Sequence, residues 1–114
     1  PLTASGSEVG SAIRYPATSI LNDFGDPIRN PLCVSYSHFL RMPYDRPTWD
    51  LVTVLEAVEP MYPLFDSSPK GWIIMDENGF TTFQADPNGL HDYMTVHPDN
   101  RGQIVQKLID RVTN

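Results

Sequence analysis

Apolar residues recur at helical spacing in two stretches of the chain. The closing stretch predicts an amphipathic helix from about Asp99, as its N-cap, to Val112. Its apolar face comprises Ile104, Val105, Leu108, Ile109 and Val112. A second helix is predicted to follow Thr48, a suitable N-cap, and to continue to Val58 before Pro60 ends it. Its predicted buried stripe comprises Leu51, Val54, Leu55 and Val58.

Two further helices are predicted in the first half of the chain. One covers Ala17 to Phe24 and ends at Gly25. The other covers Leu32 to Met42, because Pro43 cannot continue it. The residues expected on one side of this helix are Leu32, Tyr36, Phe39 and Leu40.

The β-prone runs 72–75 and 80–83 flank Asn78-Gly79, a pair that readily adopts the positive φ angles of a tight turn. They predict a hairpin, which needs other elements to cover it because an isolated hairpin is marginal in water. Pro1 to Ala4 is compatible with the end of a strand, and Gly6 and Gly10 are expected to bracket a turn. A second turn is expected over 86–89.

Composition limits the possible partners of the chain. Its 114 residues suit one domain, and 11 prolines predict short elements with stiff connections. A formal net charge of -6 argues against nucleic acid as a partner. No basic cluster favours anionic lipid, and no apolar run reaches membrane-spanning length. Cys33 is the single cysteine, so no internal disulfide forms, and both cytoplasmic and exported (periplasmic) locations stay open.

Candidate chemistry concentrates in RPTWDLVTVLEAVEP, residues 46–60. The three histidines lack zinc-ligand spacing, and Cys33 has no activating neighbour. Asp50 falls in the first turn of the predicted helix, where the helix dipole alone favours a carboxylate. Trp49 equally suits packing at the helix start. From the residue pattern alone, structural and functional roles for this pair both stay open.

Three stretches together carry a resemblance to a known family. RPTWDLVTVLEAV resembles the stretch of inosine–uridine-type nucleoside hydrolases in which an Asp opens a late helix. SGSEVGSAIRYP is similar to the segment after the central sheet in bacterial members. GWIIMDENGFTTFQADPNGLHDYM resembles their late hairpin and the Asn-Gly-x-His-x-Tyr stretch after it. The resemblance covers nearly the whole chain, so residues 1–114 are expected to form the C-terminal portion of such a domain.

This resemblance implies an α/β parent fold with a mixed, mainly parallel sheet, to which the chain contributes mostly helices and one hairpin. It also implies that the enzyme hydrolyses the N-glycosidic bond of ribonucleosides to ribose and free base. In the family, calcium is held by an N-terminal Asp-rich motif and by one later Asp, which corresponds to Asp50. The expected partners are a small-molecule nucleoside and the missing N-terminal part of the protein, and a homo-oligomer stays open.

Two departures from the family pattern affect the expected chemistry. The N-terminal Asp cluster is absent from the chain, so the isolated chain is expected to be inactive. Many members have a His before the metal-binding Asp that helps to protonate the leaving base, whereas this chain has Trp49. Trp49 is a candidate for stacking on the base, and His38 is a weaker candidate for facing it. The alternative function is a non-catalytic binding or oligomerisation module, that is, a pseudoenzyme.

Overall fold

A computed structural model describes residues 1–60 and 63–113 of the chain. The helices are α1 (Ser7–Ala12), α2 (Ala17–Asn22), α3 (Pro31–Phe39), α4 (Trp49–Val58) and α5 (Arg101–Thr113), with a 3-10 turn over Pro98–Asn100. The strands are β1 (Leu2–Ala4), β2 (Arg14–Tyr15), β3 (Arg46–Pro47), β4 (Asp66–Ser67), β5 (Gly71–Met75), β6 (Thr81–Ala85) and β7 (His91–Thr95). These elements form a small mixed α/β domain.

The larger sheet has five strands in the order β1-β7-β5-β6, with β4 also paired to β7. β1 runs parallel to β7, whereas the other pairings are antiparallel, so the sheet is mixed. The alternating burial of β7, with Asp92 and Met94 buried, is the pattern of a strand with one face on the core. The predicted hairpin is therefore one part of a larger sheet. The strand expected at 1–4 is present as β1.

The hairpin prediction is confirmed. β5 pairs with β6 in a register that sets Met75 opposite Thr81. Gly79 has a φ of 85°, whereas no residue other than glycine in the described ranges has a positive φ. Asn78 therefore does not adopt the second positive φ expected of an Asn-Gly turn. Instead, the Asp76 carboxylate accepts hydrogen bonds from the backbone N–H groups of Asn78 and Phe80, both at 2.9 Å. The turn expected over 86–89 is also present, closed by a bond from the Gly89 N–H to the Asp86 carbonyl.

Of the buried stripe predicted for α4, Leu55 is confirmed and the other three members are wrong. Val52 and Leu55 are buried, and the stripe continues at Glu59, just after the helix. Glu59 can be buried because Lys107 and Arg111 of α5 donate hydrogen bonds to its carboxylate. The prediction counted only apolar residues as buried and therefore excluded Glu59. It consequently assigned burial to a neighbouring stripe of the helix. The members of that stripe that prove to be exposed are Leu51, Val54 and Val58.

The closing helix is confirmed, but its start differs from the prediction. Ile104 and Leu108 are buried, and Val105 and Ile109 are partly buried against them. Val112, at the end of the helix, is more exposed than the rest of the face. Asp99 is not the N-cap. The 3-10 turn precedes the helix, and its cap is His97, whose Nδ1 accepts from the Asp99 N–H.

The first half of the chain departs from prediction at three helix boundaries. Gly6 and Gly10 do not bracket a turn, because Gly10 lies inside α1. α2 ends at Asn22, shortly before Gly25, which has a φ of 71°. α3 ends at Phe39, since Leu40 is already extended before Pro43 is reached. Phe39 and Leu40 are consequently exposed, and the buried residue of this helix is Cys33.

The core lies between α1, α4, α5 and the buried face of β7. Its members are Val9, Ile13, Tyr15, Ile20, Cys33, Val52, Leu55, Leu64, Phe65, Met94, Ile104 and Leu108. The short pair β2–β3 lies at one end of this core, with Tyr15 opposite Arg46. This pair leads directly into α4, so it fixes the position at which that helix starts.

Candidate functional site

The start of α4 is held by the carbonyl groups at the end of α1. The Thr48 N–H donates to the Gly10 carbonyl at 3.0 Å and to the Ile13 carbonyl at 3.2 Å. The buried Thr48 hydroxyl donates to the Ile13 carbonyl at 2.9 Å. Thr48 occupies the predicted N-cap position, but its side chain does not cap the helix. The hydroxyl joins two elements instead, so the residues that follow have a defined position.

Gly10 permits the close approach of α1 to α4. A Cβ atom added at Gly10 would lie 2.5 Å from the Trp49 Cα and 2.6 Å from the Trp49 nitrogen. A side-chain rotation cannot relieve a steric clash with backbone atoms at this distance. Trp49 therefore packs against α1 through its backbone and one edge of its indole, while 45% of the residue stays exposed. The packing and ligand-facing roles considered for Trp49 are compatible with each other.

Asp50 lies exposed in the first turn of α4. None of the hydrogen bonds or ion pairs within residues 1–60 and 63–113 uses its carboxylate. The adjoining cleft, of about 220 Å³, is lined by Tyr15, Tyr36, Arg46, Pro47, Thr48, Trp49, Asp50 and Leu51. We call it the Asp50 cleft. It combines one carboxylate with an indole, two phenol rings and a guanidinium group.

A second cleft, of about 280 Å³, shares Tyr36 and Arg46 with the first. Its lining is Leu32, Ser35, Tyr36, Phe39, Tyr44 and Arg46, and we call it the aromatic cleft. Tyr36 and Tyr44 stack with their ring centroids 5.4 Å apart. The Arg46 guanidinium lies 4.0 Å from the centroid of the Phe39 ring, a cation–π geometry. The two clefts are therefore adjacent, with Tyr36 and Arg46 at their common border.

The electrostatic setting of Tyr36 reflects this border position. Partial burial raises the pKa of its phenol, and the positive charge of Arg46 opposes that rise. The phenol consequently stays neutral at physiological pH and can act as a hydrogen-bond donor or acceptor. Tyr36 can thus offer both a polar group and a ring face to a ligand.

His38 lines neither cleft. Its exposed ring lies on α3 with Nδ1 2.9 Å from the Val34 carbonyl, one turn earlier in the same helix. Of the three residues singled out in the sequence, the structure brings Trp49 and Asp50 to one cleft and leaves His38 outside it. The sequence analysis did not identify Tyr36, Tyr44 and Arg46 as site residues. Arg46 is the first residue of the segment that carries the resemblance. This position was the one feature of the sequence that could have indicated a role for it in the site.

Another cleft lies on the β1 side of α4. It has a volume of about 290 Å³ and is lined by Thr3, Thr53, Glu56, Ala57, Pro60 and Met94. Burial raises the pKa of the Glu56 carboxyl, which is a common feature of functional carboxylates. This cleft has no aromatic ring and no cation in its lining. It offers fewer groups to a nucleoside than the Asp50 and aromatic clefts do.

Asp50 is suited to bind a hard cation, because its carboxylate is exposed and free of partners in the described ranges. Calcium, however, takes about six to eight oxygen ligands. Within residues 1–60 and 63–113, no group of three or more His, Cys, Asp or Glu side chains is arranged to hold a metal. The described residues by themselves do not make up a calcium site.

Comparisons of the chain with protein-family models, with curated proteins and with solved structures find no match. Among the described residues, no helix has both the length and the apolar composition needed to cross a membrane.

Proposed function

We propose that this chain is part of a nucleoside hydrolase, which cleaves the N-glycosidic bond of ribonucleosides with water. The observation that carries the proposal is the Asp50 cleft, where an unpaired carboxylate shares one cavity with the Trp49 indole and the Tyr36 phenol. A nucleoside presents these two chemistries side by side. Its sugar hydroxyls suit a carboxylate or a cation bound by it, and its flat base suits aromatic walls.

The size of the clefts supports a ligand that extends across both. Ligand pockets are commonly about 300–1,000 Å³. The Asp50 cleft, at about 220 Å³, and the aromatic cleft, at about 280 Å³, each fall below that range, but together they fall within it. A ribose beside Asp50 would direct its base past Arg46 toward Tyr36 and Tyr44. Both halves of the substrate would then have suitable neighbours.

In the proposed enzyme Asp50 supplies one calcium ligand, and the remaining ligands come from parts of the protein outside this sequence. When bound, calcium would hold ribose hydroxyls and lower the pKa of a bound water. The residues of this chain have separate tasks. Asp50 holds the cation beside the sugar, and Trp49 and Tyr36 hold the base by contact with its ring.

The direct test is an assay of the complete gene product that contains this chain. It would be incubated with the common ribonucleosides, and free base and ribose would be quantified by chromatography with and without a calcium chelator. We expect base and ribose in equal amounts, and loss of both when calcium is removed. Failure to release base from any ribonucleoside in the presence of calcium would contradict the proposal.

The 114-residue chain alone is expected to behave differently. With one carboxylate available at the site, it should bind calcium weakly and hydrolyse no nucleoside. Isothermal titration calorimetry measures the affinity directly. Micromolar calcium binding by the chain alone would show that our assignment of the ligands is wrong.

A second candidate function is favoured by the exposed apolar residues of α4. Leu51, Val54 and Val58 lie on one side of this helix, and Val54 is 56% exposed. An apolar helix face of this kind is typical of a surface that packs against another segment or chain. A non-catalytic binding or oligomerisation module would use this face and would show no hydrolysis. If that function is correct, Val54→Lys should reduce assembly in sedimentation experiments, and the unmodified protein should fail the nucleoside assay.

A further inference from the structure

Breaking an N-glycosidic bond requires a group that stabilises the departing base. The electron pair of the C1′–N bond moves to the base nitrogen, so negative charge develops on the base as the bond lengthens. Trp49 has no proton to give at working pH, and its indole is not positively charged. This requirement rests on the proposed function, and a residue other than Trp49 must meet it.

Arg46 is the positively charged residue at the border of the two clefts. It lines both the Asp50 cleft and the aromatic cleft, so this residue borders the region where sugar and base of a spanning nucleoside would meet. Its backbone is fixed by the β2–β3 pair, opposite Tyr15. Its guanidinium is further held over the Phe39 ring at 4.0 Å.

The charge of Arg46 is available to a ligand. No carboxylate in residues 1–60 or 63–113 forms an ion pair with it. Its sequence neighbour Asp45 is engaged elsewhere, because the Asp45 carboxylate accepts the Ala17 N–H at 2.9 Å. Neutralisation by a nearby acid would have weakened the effect of the guanidinium on a ligand.

Other candidates are less well placed. Arg14 donates to the Asp45 carbonyl and lines neither cleft. His38 also lines neither cleft. Among the basic residues of the described ranges, Arg46 is therefore the one that borders both halves of the proposed substrate site.

We infer that Arg46 stabilises the departing base electrostatically and by hydrogen bonds from its guanidinium, without transferring a proton. In the balanced reaction the C1′–N bond breaks with both electrons going to the base nitrogen. The oxygen of one water forms the new bond to C1′, and one proton of that water finally resides on the base nitrogen. Arg46 lowers the energy of the anionic base until that proton arrives, and it is unchanged by the cycle.

The test compares two substrates of the complete gene product that differ in their leaving groups. A ribonucleoside releases a poorly stabilised base, whereas 4-nitrophenyl ribofuranoside releases nitrophenolate, which needs little assistance. The measured quantity is the ratio of kcat for the nucleoside to kcat for the nitrophenyl riboside. Because both values come from one preparation, a change in the folded fraction cancels.

We expect Arg46→Gln to lower this ratio by roughly 100-fold, the loss typical when one preorganised donor to a developing anion is removed. Arg46→Lys, which keeps the charge but loses the planar fork, should retain part of the ratio. The matched control is Arg29→Gln, because Arg29 is highly exposed and paired with Asp26 away from both clefts. The control should leave the ratio unchanged.

A ratio that stays constant in Arg46→Gln would overturn the inference, whether both rates fall together or neither falls. Equal falls would mean that Arg46 maintains the structure or binds the ribose. If the unmodified protein hydrolyses neither substrate, the proposed function itself fails, and the role of Arg46 fails with it. These two failures are distinguishable, since the first leaves the unmodified enzyme active.

Discussion

The junction of α1 with α4 and the turn of the β5–β6 hairpin both depend on a glycine, for opposite reasons. At the junction, Gly10 is required because the backbone of Trp49 occupies the place of a side chain. At the turn, Gly79 is required because its φ is 85°, although a Cβ would meet nothing within 4 Å. Gly10 permits a close contact between segments that are distant in sequence, whereas Gly79 permits a local backbone conformation.

This difference separates the part of the molecule that holds the site from the part that does not. The junction fixes Thr48 through three hydrogen bonds to the Gly10 and Ile13 carbonyls, and Trp49 and Asp50 follow immediately. The hairpin turn is closed by Asp76, a neighbour in sequence, and contributes no residue to either cleft. Changes at the junction should therefore affect stability and the site together, whereas changes at the turn should affect stability alone.

The largest effect is expected for Gly10→Ala. The added methyl would force α1 and α4 apart, and overpacking of this kind costs about 1–3 kcal/mol of unfolding free energy. The control is Gly102→Ala in α5, where a Cβ meets nothing within 4 Å and alanine should stabilise by up to about 0.5–1 kcal/mol. Chemical denaturation of both variants measures the difference. Equal stabilities for the two would mean that the close approach at Gly10 is not required.

A smaller loss is expected for Gly79→Ala. An alanine held at positive φ costs about 1 kcal/mol, and the strain stays local to the turn. Asn78→Ala serves as the control, because Asn78 has a negative φ and should change stability by less than about 0.5 kcal/mol. Nucleoside hydrolysis by the folded Gly79→Ala protein should match that of the unmodified protein. A loss of turnover would show that the hairpin does contribute to the site.

A pH-dependent effect is expected for Glu59, at the other end of α4. Hydrogen bonds from Lys107 and Arg111 lower the pKa of its carboxyl below the usual range. A lowered pKa stabilises the fold above the unfolded value, about 4.3 for Glu, and this contribution disappears as pH falls through the lowered value. The melting temperature should consequently fall below about pH 5, and less steeply in Glu59→Gln. Parallel pH profiles for the two proteins would exclude this role for Glu59.

Sequence reasoning identified the elements whose signals are local. The hairpin at 71–85 and the amphipathic face of α5 follow from turn chemistry and periodicity, and both are present. It failed where a distant contact decides the outcome. The buried side of α4 continues at Glu59, whose carboxylate accepts hydrogen bonds from two cations of α5.

The same distinction applies to the site. Trp49 and Asp50 are adjacent in sequence and were identified together, whereas Tyr36, on α3, and Tyr44, in the loop after it, line these clefts only because the fold brings them there. No spacing in the sequence relates these rings to Asp50. The border position of Arg46 likewise depends on the pairing of β2 with β3, which brings residues 14–15 beside residues 46–47. Such relations require the fold, because they join segments that share no local pattern.

The central claim is that Asp50 and Trp49 act on one substrate in different ways. Near the start of a helix, adjacent residues point about 100° apart, so one can serve the metal and the other the base. Asp50→Asn should weaken calcium binding and reduce turnover by more than the roughly 10–100-fold typical of outer-shell partners. Trp49→Ala should mainly raise KM, because loss of stacking removes about 1–3 kcal/mol of binding shared by the ground and transition states.

The deciding measurement is the calcium dependence of steady-state kinetics for these two variants of the complete gene product. Melting curves of the same variants distinguish a loss of substrate binding from a loss of folding. If Trp49 serves only to pack the helix, Trp49→Ala should have a lower Tm and unchanged kinetics. Asp66→Asn is the control, because Asp66 is exposed and lines neither cleft. We expect loss of calcium dependence and turnover in Asp50→Asn and a raised KM in Trp49→Ala. If Asp50→Asn retains both its calcium dependence and its turnover, the assignment of this cleft to nucleoside hydrolysis is wrong.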